Sequence, residues 1–209
     1  MGKLKKKYNS MSVETKAALW FAMCNFINKG IAMIVVPLYT RLLTTEEYGT
    51  YTVFQSWLNI FIILATLEIS RGHYKVGITK YDTDVDHYTT SVLGLSNAVT
   101  VLFIAVYCCA IPVFDSLLIM PTYLVLSMFA YLLVYPAWEF WTIRQRFDYK
   151  YKRMVLATLA VAVLSPVIGI IGIVWLHMQS DAAIFSKLII QGIFAIWVYI
   201  IFIKKGSPL

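Results

Sequence analysis

AALWFAMCNFINKGIAMIVVPLY, residues 17–39, is an apolar run with a single charged residue, Lys29, near its middle. A hydrocarbon core about 30 Å thick takes about 20 helical residues to cross, so this run reads as a membrane-spanning helix rather than the core helix of a soluble domain. Comparable runs follow at about 50–70, 91–113, 121–142, 154–176 and 183–203, and the pattern predicts an all-α, polytopic membrane protein built as a six-transmembrane-helix bundle. Composition agrees. The 209 residues are 60% hydrophobic and 14% charged, against roughly 45–50% and about 25% in soluble domains. Intrinsic disorder, collagen and a disulfide scaffold are excluded, because Cys24, Cys108 and Cys109 all lie inside apolar runs.

The formal charge of +7 acquires meaning when counted by loop. Fifteen of the eighteen basic residues fall on one face: Lys3, Lys5, Lys6, Lys7 and Lys16 in the first tail, Arg71, Lys75 and Lys80 in the 71–90 loop, Arg144, Arg146, Lys150, Lys152 and Arg153 in the 142–153 loop, and Lys204 and Lys205 at the end. The positive-inside rule then puts both termini and these loops in the cytoplasm. The chain divides into a basic tail 1–16, a transmembrane lobe 17–203 and a tail 204–209. The basic excess is a topology signal, so membrane lipids and not nucleic acid are the expected contact. Asn25, Asn28 and Lys29 inside the first span, and its lack of a small-residue cleavage site, argue for a retained helix and not a signal peptide.

Polar residues inside the spans fall at helical spacing. Asn25, Asn28 and Lys29 form one stripe, and Thr52, Gln55, Ser56 and Asn59 form another. Ser127, Tyr131, Tyr135 and Glu139 make a ladder on the fourth span, and the sixth carries Lys187 and Gln191. Intramembrane amides often only bond a neighbouring helix, at about 0.6 kcal/mol each on average. Glu68, Arg71, Glu139 and Lys187 lie within a turn or two of an interface, where charged side chains snorkel. Lys29 is central, and a charge there calls for water, a carboxylate or an anionic ligand. Tyr131 and Tyr135 suit either helix packing or stacking on sugar rings.

Other motifs have structural explanations. DTDVDH at 82–87 has the alternating acids of a calcium loop without its glycine or final glutamate. His177 lies on the far side of the membrane from His73 and His87, which excludes one metal site shared by the three histidines. Thr44 and Glu47 have capping-box spacing. Phosphate-binding glycine loops and hydrolase nucleophile motifs are absent from the sequence.

Residues 29–67, KGIAMIVVPLYTRLLTTEEYGTYTVFQSWLNIFIILATL, resemble the opening of bacterial polysaccharide-biosynthesis membrane proteins. These are the Wzx-type lipid-linked oligosaccharide flippases of the multidrug/oligosaccharidyl-lipid/polysaccharide exporter superfamily. The likeness continues through SVLGLSNAVT (91–100), PAWEFWTIRQRFDYKYK (136–152) and LSPVIGIIGI (164–173). PLYTRLLTTEEYG (37–49) is its specific part. Members of the family carry two six-helix lobes facing a central cavity, and this chain is similar to the N-terminal lobe, which implies a second six-helix lobe as partner or continuation. The resemblance further implies alternating-access transport of undecaprenyl-diphosphate-linked oligosaccharide across the bacterial inner membrane, for O-antigen, capsule or exopolysaccharide. Polysaccharide polymerase and glycosyltransferases are the implied protein partners.

Under that resemblance Lys29, Arg71 and Lys75 take the diphosphate, Asn25, Gln55, Asn59, Tyr131 and Tyr135 the glycan, and Glu68 or Glu139 a coupling ion. No covalent step is implied, so neither an enzyme, a catalytic residue, a metal nor a cofactor is expected. Two alternatives stand beside it: a drug or small-cation exporter of the same superfamily, which favours an acidic cavity, and a non-transporting half-length scaffold that binds assembly enzymes through the 142–153 loop.

Overall fold

The computed structural model describes residues 10–69, 72–81 and 84–206, so Lys3, Lys5, Lys6, Lys7, Arg71 and Asp82 lie outside the described residues. Among the described residues the regular structure is all helix: α1 Val13–Leu42, α2 Thr45–Thr66, α3 His73–Lys80, α4 Val85–Cys109, α5 Ile111–Leu118, α6 Thr122–Phe147, α7 Tyr151–Leu176 and α8 Gln179–Gly206. Five of these, α1, α4, α6, α7 and α8, are long and apolar enough to cross a membrane, and the chain is a helical membrane protein. The sixth expected span differs. Helix α2 has 22 residues, enough for about 33 Å, but its first two-thirds, TEEYGTYTVFQSWLN, is too polar for a lipid-facing crossing.

Local chemistry sets the boundaries. Ser12 Oγ caps α1 by accepting from the Thr15 amide at 3.2 Å. The capping box of α2 is complete: the Glu47 amide donates to Thr44 Oγ1 at 3.3 Å, and the Thr44 amide donates to Glu47 Oε2 at 2.7 Å. The span expected at 50–70 stops earlier, at Thr66, because Leu67 and Glu68 turn left-handed with φ of 50° and 53°. The span expected at 91–113 runs instead from Val85 to Cys109 and breaks at Ala110. Pro112 then sits in the first turn of α5, where its missing N–H removes no helical bond.

Helices α6 and α8 form the centre, with α6 against α4 and α8, and α8 against α7, α6, α4 and α2. One core cluster gathers Tyr74, Trp138, Phe140, Trp141 and Phe202 toward the basic end. A second, with Phe54, Leu58, Met128, Phe129 and Tyr131, fills the space between α2, α4, α6 and α8. Small residues let α7 and α8 approach closely: a Cβ at Gly172 would stand 2.8 Å from Ala182 Cβ. Outward surfaces are apolar, with Leu156 74% and Trp175 79% exposed on α7, as lipid contact requires. Helix α1 leans mainly on α7 and touches α2 only slightly.

Candidate functional site

Where α1, α2, α7 and α8 converge, the bundle leaves a cavity of about 250 Å³. Its apolar walls carry an unusual set of polar groups: Asn28, Tyr39, Tyr51, Ser165, Ser186, Lys187 and Gln191. Each helix contributes by its own periodicity. Asn28 and Tyr39 come from the inner face of α1, Tyr51 from α2, Ser165 from the turn preceding Pro166 on α7, and Ser186, Lys187 and Gln191 from α8. Gly169 makes this convergence possible, because a Cβ there would lie 2.6 Å from the Tyr39 hydroxyl and 2.8 Å from Ser186 Oγ.

The dominant charge is Lys187. It lies about 12 Å along α8 from Gln179, too deep for an easy reach to water. Its ammonium donates to Gln55 Oε1 of α2 at 2.5 Å. No carboxylate lines the cavity, and among the described residues no ion pair involves Lys187. A lone charge at mid-membrane costs about 2.5–3.5 kcal/mol on insertion scales, so one amide oxygen compensates it only in part. Other groups around the site are under-bonded. Asn28 Nδ2 donates to Cys24 Sγ at 3.7 Å, while Asn28 Oδ1, Gln55 Nε2 and Ser165 Oγ are buried without a hydrogen-bond partner among the described residues.

The residues singled out from sequence are distributed differently. The stripe of the first span splits: Asn28 turns into the cavity, whereas Asn25 and Lys29, one turn apart, share the exposed face of α1. Lys29 is therefore not in this cavity, and it has no hydrogen bond or ion pair among the described residues. The second stripe splits as well, with Gln55 turned to Lys187 and Ser56 and Asn59 exposed. Tyr131 is 5% exposed and packed in the second core cluster, its ring 5.3 Å from that of Tyr135, so its face is not open to a sugar. Tyr135 is half-buried, and so is Glu139 one turn further along α6. Glu68 lies just past the end of α2, and Lys75 is exposed on α3, which packs on α4 and α6. Arg71 lies outside the described residues.

Sequence reading grouped Lys187 with the snorkelling residues and so missed it as the cavity's cation. The available signal was Lys187 and Gln191 at one-turn spacing on α8, matching Gln55 on α2. Only the helix pairing shows that these faces meet.

The basic loops form a separate polar layer. Arg144 pairs with Asp86, Lys150 with Asp148 at 2.8 Å, and the Arg146 guanidinium lies over the Phe21 ring at 5.8 Å. Tyr74 is fully buried and shares a 2.8 Å hydrogen bond with Thr89; burial pushes its phenol up to about 12. Asp86 of the DTDVDH loop is thus held by an arginine, and no group of three or more metal-ligating side chains assembles among the described residues.

No curated protein and no solved structure shows significant similarity to the chain. The sequence model of one family does match, over residues 15–207, which takes in nearly the whole helical bundle and all the residues that line the cavity. The chain belongs to the polysaccharide biosynthesis protein family, of the flippase type, and serves polysaccharide biosynthesis at a membrane.

Proposed function

We propose that the chain translocates an undecaprenyl-diphosphate-linked oligosaccharide across the bacterial inner membrane by alternating access against a second six-helix body, with α2 as a sixth crossing and both termini cytoplasmic. The observation that carries this reading is Lys29 on the exposed face of α1. It stands about 24 Å along the helix from Val13, near the middle of the membrane. Lipid cannot satisfy an ammonium at that depth, whereas a water-filled cleft that receives a diphosphate can. Asn25 beside it, with Ser56 and Asn59 on the exposed side of α2, supplies the amides and hydroxyl that a glycan needs. Arg71 and Lys75 serve the diphosphate at the cytoplasmic entrance, Tyr135 adds ring surface, and Glu68 or Glu139 carries a coupling ion. Tyr131 contributes by supporting Tyr135, and Gln55 by holding Lys187. The cycle moves the substrate without making or breaking a covalent bond.

A small-cation exporter fits less well. Neither α1 nor α2 carries a carboxylate beyond its first turn, so the outward faces have nothing to hold a cation at depth. The test is a strain lacking the gene and complemented with Lys29→Ala or Lys29→Arg. Lys29→Ala is expected to accumulate lipid-linked intermediate on the cytoplasmic leaflet while reaching wild-type abundance, and Lys29→Arg to retain export. Near-normal export by well-expressed Lys29→Ala would sink the proposal.

A further inference from the structure

We infer that the pocket lined by α1, α2, α7 and α8 is a binding site for a small monovalent anion of chloride size, held by Lys187. This inference does not depend on the translocation reading, because it concerns the pocket lined by Lys187 and not Asn25, Lys29, Ser56 and Asn59 on the outward faces of α1 and α2.

Charge sets the sign of the ligand. The cavity contains a resident cation and no carboxylate, which disfavours a second cation and invites one negative charge. An ammonium has three protons to donate, and Gln55 Oε1 takes one. Ser165 Oγ lines the cavity, is only 7% exposed, and lacks a partner among the described residues. Gln55 Nε2 is a further unpartnered donor immediately beside the ammonium. With the ammonium, these donors outnumber Asn28 Oδ1, an unpartnered acceptor on the same lining, and suit a small anion with accompanying water.

Size sets its class. Sites for drug-sized ligands run about 300–1,000 Å³, and one water occupies about 30 Å³. A pocket of about 250 Å³ therefore suits an ion with several waters better than an oligosaccharide. Tyr39 and Ser186, packed over Gly169, close its end with hydroxyls.

The test uses the full chain purified in detergent, with thermal unfolding followed in sodium chloride, sodium bromide or sodium gluconate at constant ionic strength. Chloride and bromide are expected to raise the midpoint saturably, by about 2–4 °C at roughly five times Kd. Gluconate, a large polyhydroxy carboxylate and not a compact ion, is expected to leave it unchanged. Lys187→Met should abolish the rise, Ser165→Ala should shift saturation to higher chloride, and Lys29→Met, which lies outside the chamber, should retain the wild-type response. Line broadening of the chloride NMR signal by wild-type protein, reversed by bromide, reads the same site without any variant and decides the matter if Lys187→Met does not fold. A midpoint that follows ionic strength alone, or chloride broadening no greater than that of empty micelles, overturns the inference.

Discussion

Gln55→Leu and Lys187→Met break the same hydrogen bond, yet they are expected to differ sharply in cost. Gln55→Leu leaves the ammonium in a chamber with no carboxylate and without its amide acceptor. A hydrogen bond to a charged group contributes about 1.5–3 kcal/mol, and leaving the charge behind forfeits at least that much. Lys187→Met removes the charge itself and puts an apolar chain of similar length in its place. The remaining loss is a neutral intramembrane amide contact, worth about 0.6 kcal/mol on average. In chloride-free gluconate buffer, Gln55→Leu should lower the unfolding midpoint by about 3–12 °C, given about 2–4 °C per kcal/mol for a chain of this size. Lys187→Met should lower it by no more than about 2 °C. The double variant should resemble Lys187→Met, because the leucine side chain then has no charge to strand, and the cycle should show a coupling of about 1.5–3 kcal/mol, the full cost of Gln55→Leu. Equal losses in the two single variants, adding in the double, would mean that the lysine is not held by Gln55 and that the charge is solvated by another route.

The other expectations follow from separate contacts. Gly172→Ala forces a methyl to 2.8 Å from Ala182 Cβ and should destabilise by about 1–3 kcal/mol; adding Ala182→Gly should recover part of this in the same melt. Tyr74 has its folded phenol raised to about 12 from 10, so the stability it contributes is complete below pH 10 and lost as pH rises toward 12. Tyr74→Phe should flatten the alkaline limb of the unfolding curve, and a limb of unchanged steepness would contradict the assignment. Asp86→Asn removes a partly exposed pair with Arg144, and denaturant midpoints should fall by less than about 1 kcal/mol equivalent.

The architecture was legible where lipid dictates composition. Runs such as 154–176 and 183–203 are apolar on nearly every face, and the corresponding helices α7 and α8 contain them. Ends set by local chemistry were less legible: nothing in VYCCAIPV marks Ala110 as the break rather than Val113, because the helix could have continued until proline intervened. The polar site was the least legible. Asn28 and Lys29 are neighbours in sequence, yet about 100° of helical rotation separates them, so one enters the chamber and the other leaves it. Lys187 resembled a residue near an interface until α2 brought Gln55 against it. Spacing identifies which residues share a face, and only packing decides what that face meets.

The attachment of α1 has a consequence for how the protein is made. The helix takes most of its packing from α7, with lesser contacts such as Tyr39 against Tyr51 and Phe21 under Arg146. The chain from Leu42 to Tyr151 must be synthesised before α7 begins to emerge, which takes roughly 5–22 s at about 5–20 residues per second. During that interval the nascent α1 carries Asn25, Asn28 and Lys29 into the bilayer without its main packing partner. Insertion machinery that shelters polar helices is therefore expected to retain α1 until α7 arrives, and shortening that wait by early termination should leave α1 the first segment to be degraded.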